Sequence, residues 1–237
     1  MPEKIIDLLS KNGPHLSVGA LSANIMRLDD DVALLERNNV KLLHFDIMDG
    51  LFVPQLTVGD CFVKAVRTSM LKDVHLMISE PFDRIPAYVS AGADIITIHA
   101  ESCVHVHRCL QLIGEMKNVN DEQRGIARGI ALNPSTPISA LEPFIDEADI
   151  VFLIAVNPGF SGQKFIEATK RRFRTLREML KRQDRRILTG IDGGVTRTTI
   201  ASCAELEADI VVSGSAVFEN RRIEENIDYL HKLQRIS

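Results

Sequence analysis

Eight short runs of apolar, β-branched residues recur along the chain, with amphipathic segments between them. The runs are continuously apolar rather than alternating in polarity, which is typical of strands buried on both faces of a parallel sheet. Eight strand-then-helix units in one chain favour an α/β fold with a single closed (β/α)8 TIM barrel over an open doubly wound sheet. We predict strands over residues 16–21, 42–48, 73–78, 95–100, 128–133, 150–157, 186–192 and 210–215.

The residues ahead of the first strand form a separate element. Apolar residues at 5–9 have helical spacing, and Gly13-Pro14 follows them, so the pattern predicts a short amphipathic helix. The segment lacks the uninterrupted apolar core of a secretory signal. We therefore predict an N-terminal helical extension over 1–15 and a catalytic barrel over 16–237.

Composition narrows the class of protein. A length of 237 residues suits one barrel, and 45% hydrophobic with 25% charged residues matches a soluble globular protein. The net charge of −4 argues against nucleic-acid binding, and no apolar run is long enough to span a membrane. The 4 cysteines are scattered without a CxxC pair, which predicts reduced core thiols and a cytoplasmic protein.

Four polar residues stand near the carboxyl ends of predicted strands, where barrels build their active sites. His44 and Asp46 are in strand two, His75 is in strand three and Asp192 is in strand seven. His44 and Asp46 are two positions apart, so they share one face of their strand. Two imidazoles and two carboxylates suit one divalent ion, which could be Zn²⁺, Fe²⁺, Mn²⁺ or Co²⁺.

The two carboxylates also predict acid/base chemistry. Asp46 and Asp192 could remove a proton from one face of a carbon and return one to the other face. A C–H group next to a carbonyl has a pKa of about 18, whereas the pKa of an aspartic acid is about 4. Moving the proton from the carbon to the carboxylate therefore costs on the order of 19 kcal/mol. A metal ion that stabilises the enediolate would remove several kcal/mol of that barrier.

Glycine-rich segments follow the last three predicted strands: NPGFSGQ, DGGV and SGSAVF. Glycine lets main-chain N–H groups approach an anion closely, and barrels commonly bind phosphate at the loops after strands seven and eight. We therefore predict a phosphorylated small-molecule substrate. The predicted contacts are Gly159, Phe160, Ser161, Gly162, Gly193, Gly194, Gly214 and Ser215.

In these segments the chain resembles the ribulose-phosphate 3-epimerase family. The matching stretches are LSANI at 21–25, HFDIMDGLFVPQLTVG at 44–59, HLMISEP at 75–81, AGADIITIHAES at 91–102, ALNPSTP at 131–137, VNPGFSGQKFI at 156–166, IDGGV at 191–195 and SGSAVF at 213–218. The resemblance implies a TIM barrel of the pentose phosphate pathway that interconverts D-ribulose 5-phosphate and D-xylulose 5-phosphate through an enediolate. It also implies a homo-oligomer.

Carried over residue by residue, the resemblance implies that His44, Asp46, His75 and Asp192 bind the metal. Asp46 and Asp192 would be the acid/base pair. Ser22 and His75 would contact the substrate together with the glycine loops.

The chain departs from the family pattern near the predicted substrate. Ile154 and Ala155 replace a methionine and a small hydroxyl residue of strand six, and Val18-Gly19 replaces Pro-Ser. Leu51 and Gln55 replace a polar residue and an asparagine. These changes leave D-allulose 6-phosphate or another ketose phosphate as an alternative substrate.

Two other classes of function fit the sequence less well. Decarboxylases and aldolases of related barrels use an Asp-x-Lys-x-x-Asp motif, but Met48 stands where the lysine would be. A non-catalytic sugar-phosphate sensor would not need the four polar residues at the strand ends, so their presence favours an enzyme.

Overall fold

The computed structural model describes residues 4–11, 13–160 and 162–234. Its strands form one closed parallel barrel in sequence order, in which β8 pairs with β1, so the predicted (β/α)8 fold is confirmed. The strands are β1 (His15–Gly19), β2 (Leu42–Met48), β3 (Leu71–Met77), β4 (Ile95–His99), β5 (Ala127–Leu132), β6 (Ile150–Ile154), β7 (Leu188–Asp192) and β8 (Ile210–Ser213).

Helices connect most of the strands. The α-helices are α1 (Ile5–Lys11), α2 (Leu28–Arg37), α3 (Asp60–Ala65), α4 (Ile85–Ser90), α5 (Val106–Glu115), α6 (Ala168–Leu180), α7 (Ile200–Ala204), α8 (Ser215–Phe218) and α9 (Ile223–Gln234). Short 3₁₀ helices occur at Ala20–Ser22, Ile25–Arg27, Pro81–Asp83, Ile138–Leu141 and Glu219–Arg221. Within the described ranges, no helix is long and apolar enough to cross a membrane.

Successive side chains of each strand point alternately into the barrel and outward against the helices, which explains why the runs are apolar at every position. The interior cluster includes Leu42, Ile150 and Phe152. A Cβ atom at Gly190 would lie 2.2 Å from Cδ1 of Phe152, so the absence of a side chain there leaves room for the phenylalanine ring. Packing in the interior therefore depends on a large residue facing a glycine.

Helix α1 packs into the interior of the barrel. Its residues Ile5 and Leu9 belong to the same buried cluster as Leu42, Leu71 and Ile95, which lie at or near the amino-terminal ends of β2, β3 and β4. The helix therefore covers the amino-terminal end of the barrel. The predicted division into an extension over 1–15 and a barrel over 16–237 stays a proposal.

Leu9→Ala should lower the free energy of unfolding by about 2–5 kcal/mol, because it opens a cavity in a packed interior. Leu8→Ala is the matched control, since Leu8 is 39% exposed whereas Leu9 is 1% exposed. The control should change stability by no more than about 0.5 kcal/mol. Denaturant unfolding checks both values, and equal losses for the two variants would contradict the packing of α1.

Some strand boundaries differ from the prediction. Strand β3 begins at Leu71 rather than at 73, because Leu71 and Lys72 pair with β2. The buried Nζ of Lys72 donates hydrogen bonds to the carbonyl oxygens of Val63 and Ala91. Strand β1 ends at Gly19, and the chain turns into a 3₁₀ helix where the strand was predicted to continue. The prediction of core thiols was wrong for Cys61, which is exposed.

Candidate metal centre and substrate site

The barrel register brings the four predicted metal ligands to one end of the barrel. Asp46 pairs with His75 across β2 and β3, and Asp192 ends β7. Nε2 of His44 lies 3.2 Å from Oδ1 of Asp46 and 3.9 Å from Oδ2 of Asp192. Nδ1 of His75 lies 3.5 Å from Oδ1 of Asp46 and 3.1 Å from Oδ2 of Asp192.

These spacings fit a single cation. One donor atom from each of the four residues lies within 4.8 Å of the others. Ligand atoms about 2.1 Å from a tetrahedral ion would lie about 3.4 Å apart, which is close to the contacts within this cluster. Both imidazoles are buried, whereas the carboxylates of Asp46 and Asp192 are 29% and 15% exposed. The carboxylates therefore face the mouth of the barrel, where a substrate could reach them.

The surroundings of the two imidazoles favour positive charge. Burial lowers the pKa of His75, but hydrogen bonds with Asp192 and Asp46 outweigh burial and raise that pKa to about 8. Burial also opposes protonation of His44, yet the charges of Asp73 and Asp46 raise its pKa well above the ordinary value. A metal ion would supply this positive charge and take the place of the protons.

The pKa of Asp46 responds to the same neighbours. Burial tends to raise it, but the charge and hydrogen bond of His44 have the larger combined effect and hold the pKa of Asp46 far below its usual range. The carboxylate of Asp46 is therefore ionised, as both a metal ligand and a general base must be.

Sequence reasoning missed two carboxylates behind the imidazoles. Asp73 is fully buried, and its Oδ2 lies 2.8 Å from Nδ1 of His44. Glu101 Oε2 lies 3.3 Å from Nδ1 of His99, whose Nε2 contacts His75. Period-two spacing could have indicated Asp73, because it stands two positions before His75 on one strand.

The predicted substrate contacts occupy several loops at the mouth. A Cβ atom at Gly214 would lie 2.3 Å from Oγ of Ser22, so the loops after β1 and β8 are in close contact. Gly193 and Gly194 follow β7, whose last residue pairs with Val212 of β8. These loops are therefore neighbours on one side of the barrel, and Ser215 follows Gly214 with its side chain exposed.

The loop after β6 extends across the mouth. A Cβ atom at Gly159 would lie 3.0 Å from Cδ of Pro54 in the loop after β2, which belongs to the opposite side of the barrel. The side chain of Gln163 closes this loop by donating a hydrogen bond to the carbonyl of Phe160 at 2.9 Å. Phe160 is 60% exposed, and Gly162 has a positive φ of 75°. The predicted contact Ser161 lies outside the described residues.

Fold and site together define an enzyme of the (β/α)8-barrel class with its polar cluster at the carboxyl ends of the strands. Comparisons with known proteins make this more specific. Residues 15–218 match the model of the ribulose-phosphate 3-epimerase family. The chain belongs to this family, and it is an isomerase of the epimerase type.

Individual relatives agree with this assignment. A ribulose-phosphate 3-epimerase from Bacillus subtilis is 41% identical over 201 residues, which cover 84% of this chain and 89% of the relative. The Escherichia coli enzyme of the same name is 39% identical, with 92% and 95% covered. The structure of 3-hexulose-6-phosphate synthase from Salmonella typhimurium has a TM-score of 0.61 at 15% identity, covering 93% of this chain and 98% of that chain. The last similarity concerns the fold alone.

Proposed function

We propose that the protein interconverts D-ribulose 5-phosphate and D-xylulose 5-phosphate through an enediolate, with one divalent metal ion bound by His44, Asp46, His75 and Asp192. The observation that carries the proposal is the convergence of these four donor atoms within 4.8 Å at the barrel mouth. Family membership supports the reaction, since the curated relatives are ribulose-phosphate 3-epimerases.

In this mechanism two aspartates act on opposite faces of the substrate's C3. For one epimer Asp46 removes the C3 proton and Asp192 supplies a proton to the other face; for the other epimer the roles reverse. Asp46 enters from β2 and Asp192 from β7, so a ketose between them would meet one carboxyl on each side. Both side chains are open to the mouth, which lets a proton return from one to the other through solvent between turnovers.

The bound ion would draw electron density from the substrate's carbonyl and hydroxyl oxygens and so make the C3 proton easier to remove. The donor set of two nitrogens and two oxygens accepts Zn²⁺, Fe²⁺, Mn²⁺ or Co²⁺. The buried imidazoles of His44 and His75 would hold the ion on the barrel side, and the substrate oxygens would approach from the mouth.

Main-chain groups would bind the phosphate. Ser22, Gly193, Gly194, Gly214 and Ser215 belong to loops that adjoin one another after β1, β7 and β8. The loop with Gly159, Phe160, Ser161 and Gly162 would cover the bound substrate, and His75 would contact it from the barrel side. Phosphate binding fixes C3 between the two aspartates, which is the positioning that the reaction requires.

We also propose that the protein is a homo-oligomer and acts in the cytoplasm. Exposed leucines in the loop after β2, Leu51 and Leu56, support a subunit contact. The free thiols among the described residues support a reducing compartment.

A comparison of kcat/KM for D-ribulose 5-phosphate and D-allulose 6-phosphate, with metal-reconstituted protein, tests the identity of the substrate. We expect the pentulose phosphate to be preferred by at least about tenfold, a difference of about 1.4 kcal/mol. Omitting the metal from the reconstitution is the control. Preference for the hexulose phosphate would replace our substrate with the alternative and leave the epimerase chemistry in place.

A further inference from the structure

The two imidazoles of the cluster present different nitrogens to it. His44 faces the carboxylates with Nε2, whereas His75 faces them with Nδ1. A neutral imidazole carries one proton, and the nitrogen that binds a metal must be the one without it. His44 must therefore carry its proton on Nδ1, and His75 must carry its proton on Nε2. Each of these N–H groups is buried and needs an acceptor behind the ring.

For His44 the acceptor is a carboxylate in direct contact. Oδ2 of Asp73 lies 2.8 Å from Nδ1 of His44 and also accepts a hydrogen bond from the hydroxyl of Ser17 at 2.8 Å. An ionised carboxylate can only accept, so the proton on Nδ1 of His44 is held in place. The Nε2 lone pair is then directed toward Asp46 and the cluster.

For His75 the neighbour is another imidazole. Nε2 of His75 lies 2.8 Å from Nε2 of His99, and the planes of the two rings differ by 13°. A hydrogen bond between two nitrogens needs one donor and one acceptor. If His75 donates, as metal binding through Nδ1 requires, then His99 accepts at Nε2 and must carry its own proton on Nδ1.

A carboxylate accepts a hydrogen bond from that Nδ1–H group. Nδ1 of His99 lies 3.3 Å from Oε2 of Glu101. The other oxygen of Glu101 accepts a hydrogen bond from the main-chain N–H of Asn133 at 2.9 Å, which holds the carboxylate in position. His99 is buried, with the ring of Phe52 at a centroid distance of 4.8 Å. His75 therefore donates to His99, and His99 donates to Glu101, so each hydrogen bond has a fixed donor.

We propose that His99 and Glu101 are positioning residues that act as a relay: they fix the proton of His75 on Nε2 and so turn its Nδ1 lone pair toward the metal. Asp73 performs the same task for His44 in a single step. The proposal rests on the proposed function, because it concerns the metal site. It assigns a role to two residues that lie outside the four-residue cluster.

The affinity of the metal-free protein for Zn²⁺ tests the relay without a measurement of turnover. Glu101→Ala and His99→Phe should each weaken Zn²⁺ binding 10–100-fold in competition with a chromophoric chelator, as is typical when the partner behind a ligating histidine is lost. Glu101→Gln offers one acceptor oxygen where Glu101 offers two, so it can accept from Nδ1 of His99 only with its amide NH2 turned toward the main-chain N–H of Asn133. It should therefore recover part of the affinity that Glu101→Ala loses.

Asp94→Asn is the control, because it changes a carboxylate beside the same strand, β4, away from the metal cluster. Asp94 immediately precedes β4 at the opposite end of the barrel, where it accepts hydrogen bonds from the main-chain N–H of Lys72 and the side chain of Asn118, both at 2.9 Å. The control should lose stability and keep its Zn²⁺ affinity. Equal affinity in Glu101→Ala and the original protein would overturn the relay.

Nitrogen NMR of the unmutated, Zn²⁺-loaded protein gives a readout that no folding defect can disturb. We expect a proton on Nε2 of His75 and on Nδ1 of His99, and a proton on Nε2 of His99 would overturn the relay. If the unmutated protein binds no Zn²⁺, Fe²⁺, Mn²⁺ or Co²⁺ stoichiometrically, the proposed function fails along with the relay. If it binds one ion and the variants bind it equally well, only the relay fails.

Discussion

Asp46→Asn and Asp192→Asn are each expected to lower kcat for epimerisation by at least about 10³-fold. General acid/base groups contribute about 10²–10⁴-fold, and an amide can neither take nor give the proton. Asparagine has nearly the same shape as aspartate and can still offer a carbonyl oxygen to a cation. The fold should therefore persist, and circular dichroism together with metal analysis checks this for each variant.

Solvent deuterium exchange sharpens the test. Each variant retains one aspartate, which can still remove the C3 proton from one epimer and return deuterium to the same face. Asp46→Asn and Asp192→Asn should therefore exchange with opposite epimers while neither converts one into the other. Asp30→Asn is the control, since Asp30 forms an exposed ion pair with Arg27 and should leave kcat unchanged. Exchange of the same epimer by both variants, or retained turnover in either, would refute the two-aspartate mechanism.

Removing the phosphate from the substrate is expected to have an effect of similar size. D-ribulose should have a kcat/KM at least about 10³-fold below that of D-ribulose 5-phosphate. Three charge-assisted hydrogen bonds of about 1.5 kcal/mol each sum to about 4–5 kcal/mol, which corresponds to this factor. The loss should include kcat, because binding energy from the phosphate positions the distant C3 atom.

Gly214→Ala separates phosphate binding from the chemistry. The added Cβ would lie 2.3 Å from Oγ and 3.1 Å from Cβ of Ser22, so the hydroxyl must turn away and the Ser22 side chain must shift. This variant should lose activity on D-ribulose 5-phosphate, whereas its low activity on D-ribulose should stay near that of the unmutated protein. If D-ribulose were used within tenfold of its phosphate ester, the main-chain phosphate site would be wrong.

The barrel could be predicted because its interior positions and its helix-facing positions are both apolar, and this leaves a continuous signal in each strand. The start of β3 was missed for the opposite reason. Lys72 and Asp73 place charged side chains at buried positions. Carbonyl oxygens stabilise Lys72, and the hydroxyl of Ser17 and the imidazole of His44 stabilise Asp73, all from other elements. Local composition cannot reveal partners that arrive from distant parts of the chain.

The candidate site could be predicted to the level of residue type and strand end. Four side chains of the types that bind metal ions were predicted at the carboxyl ends of strands that meet around one barrel mouth, and the structure brings their donor atoms together. The choice of Nε2 in His44 and Nδ1 in His75 could not be foreseen, because it depends on side-chain rotation. Glu101 was missed because its link to His75 passes through His99.

Helix α1 marks the end of the barrel at which the protein can be attached to a surface. Ile5 and Leu9 pack at the end of the barrel opposite the polar cluster, so attachment through α1 would leave the polar cluster uncovered. The outer face of α1 carries Asp7, which is exposed and far from the polar cluster. A chemical tether attached at Asp7 would immobilise the enzyme with its entrance directed into solution, so the protein is suited to surface-bound catalysis through this helix.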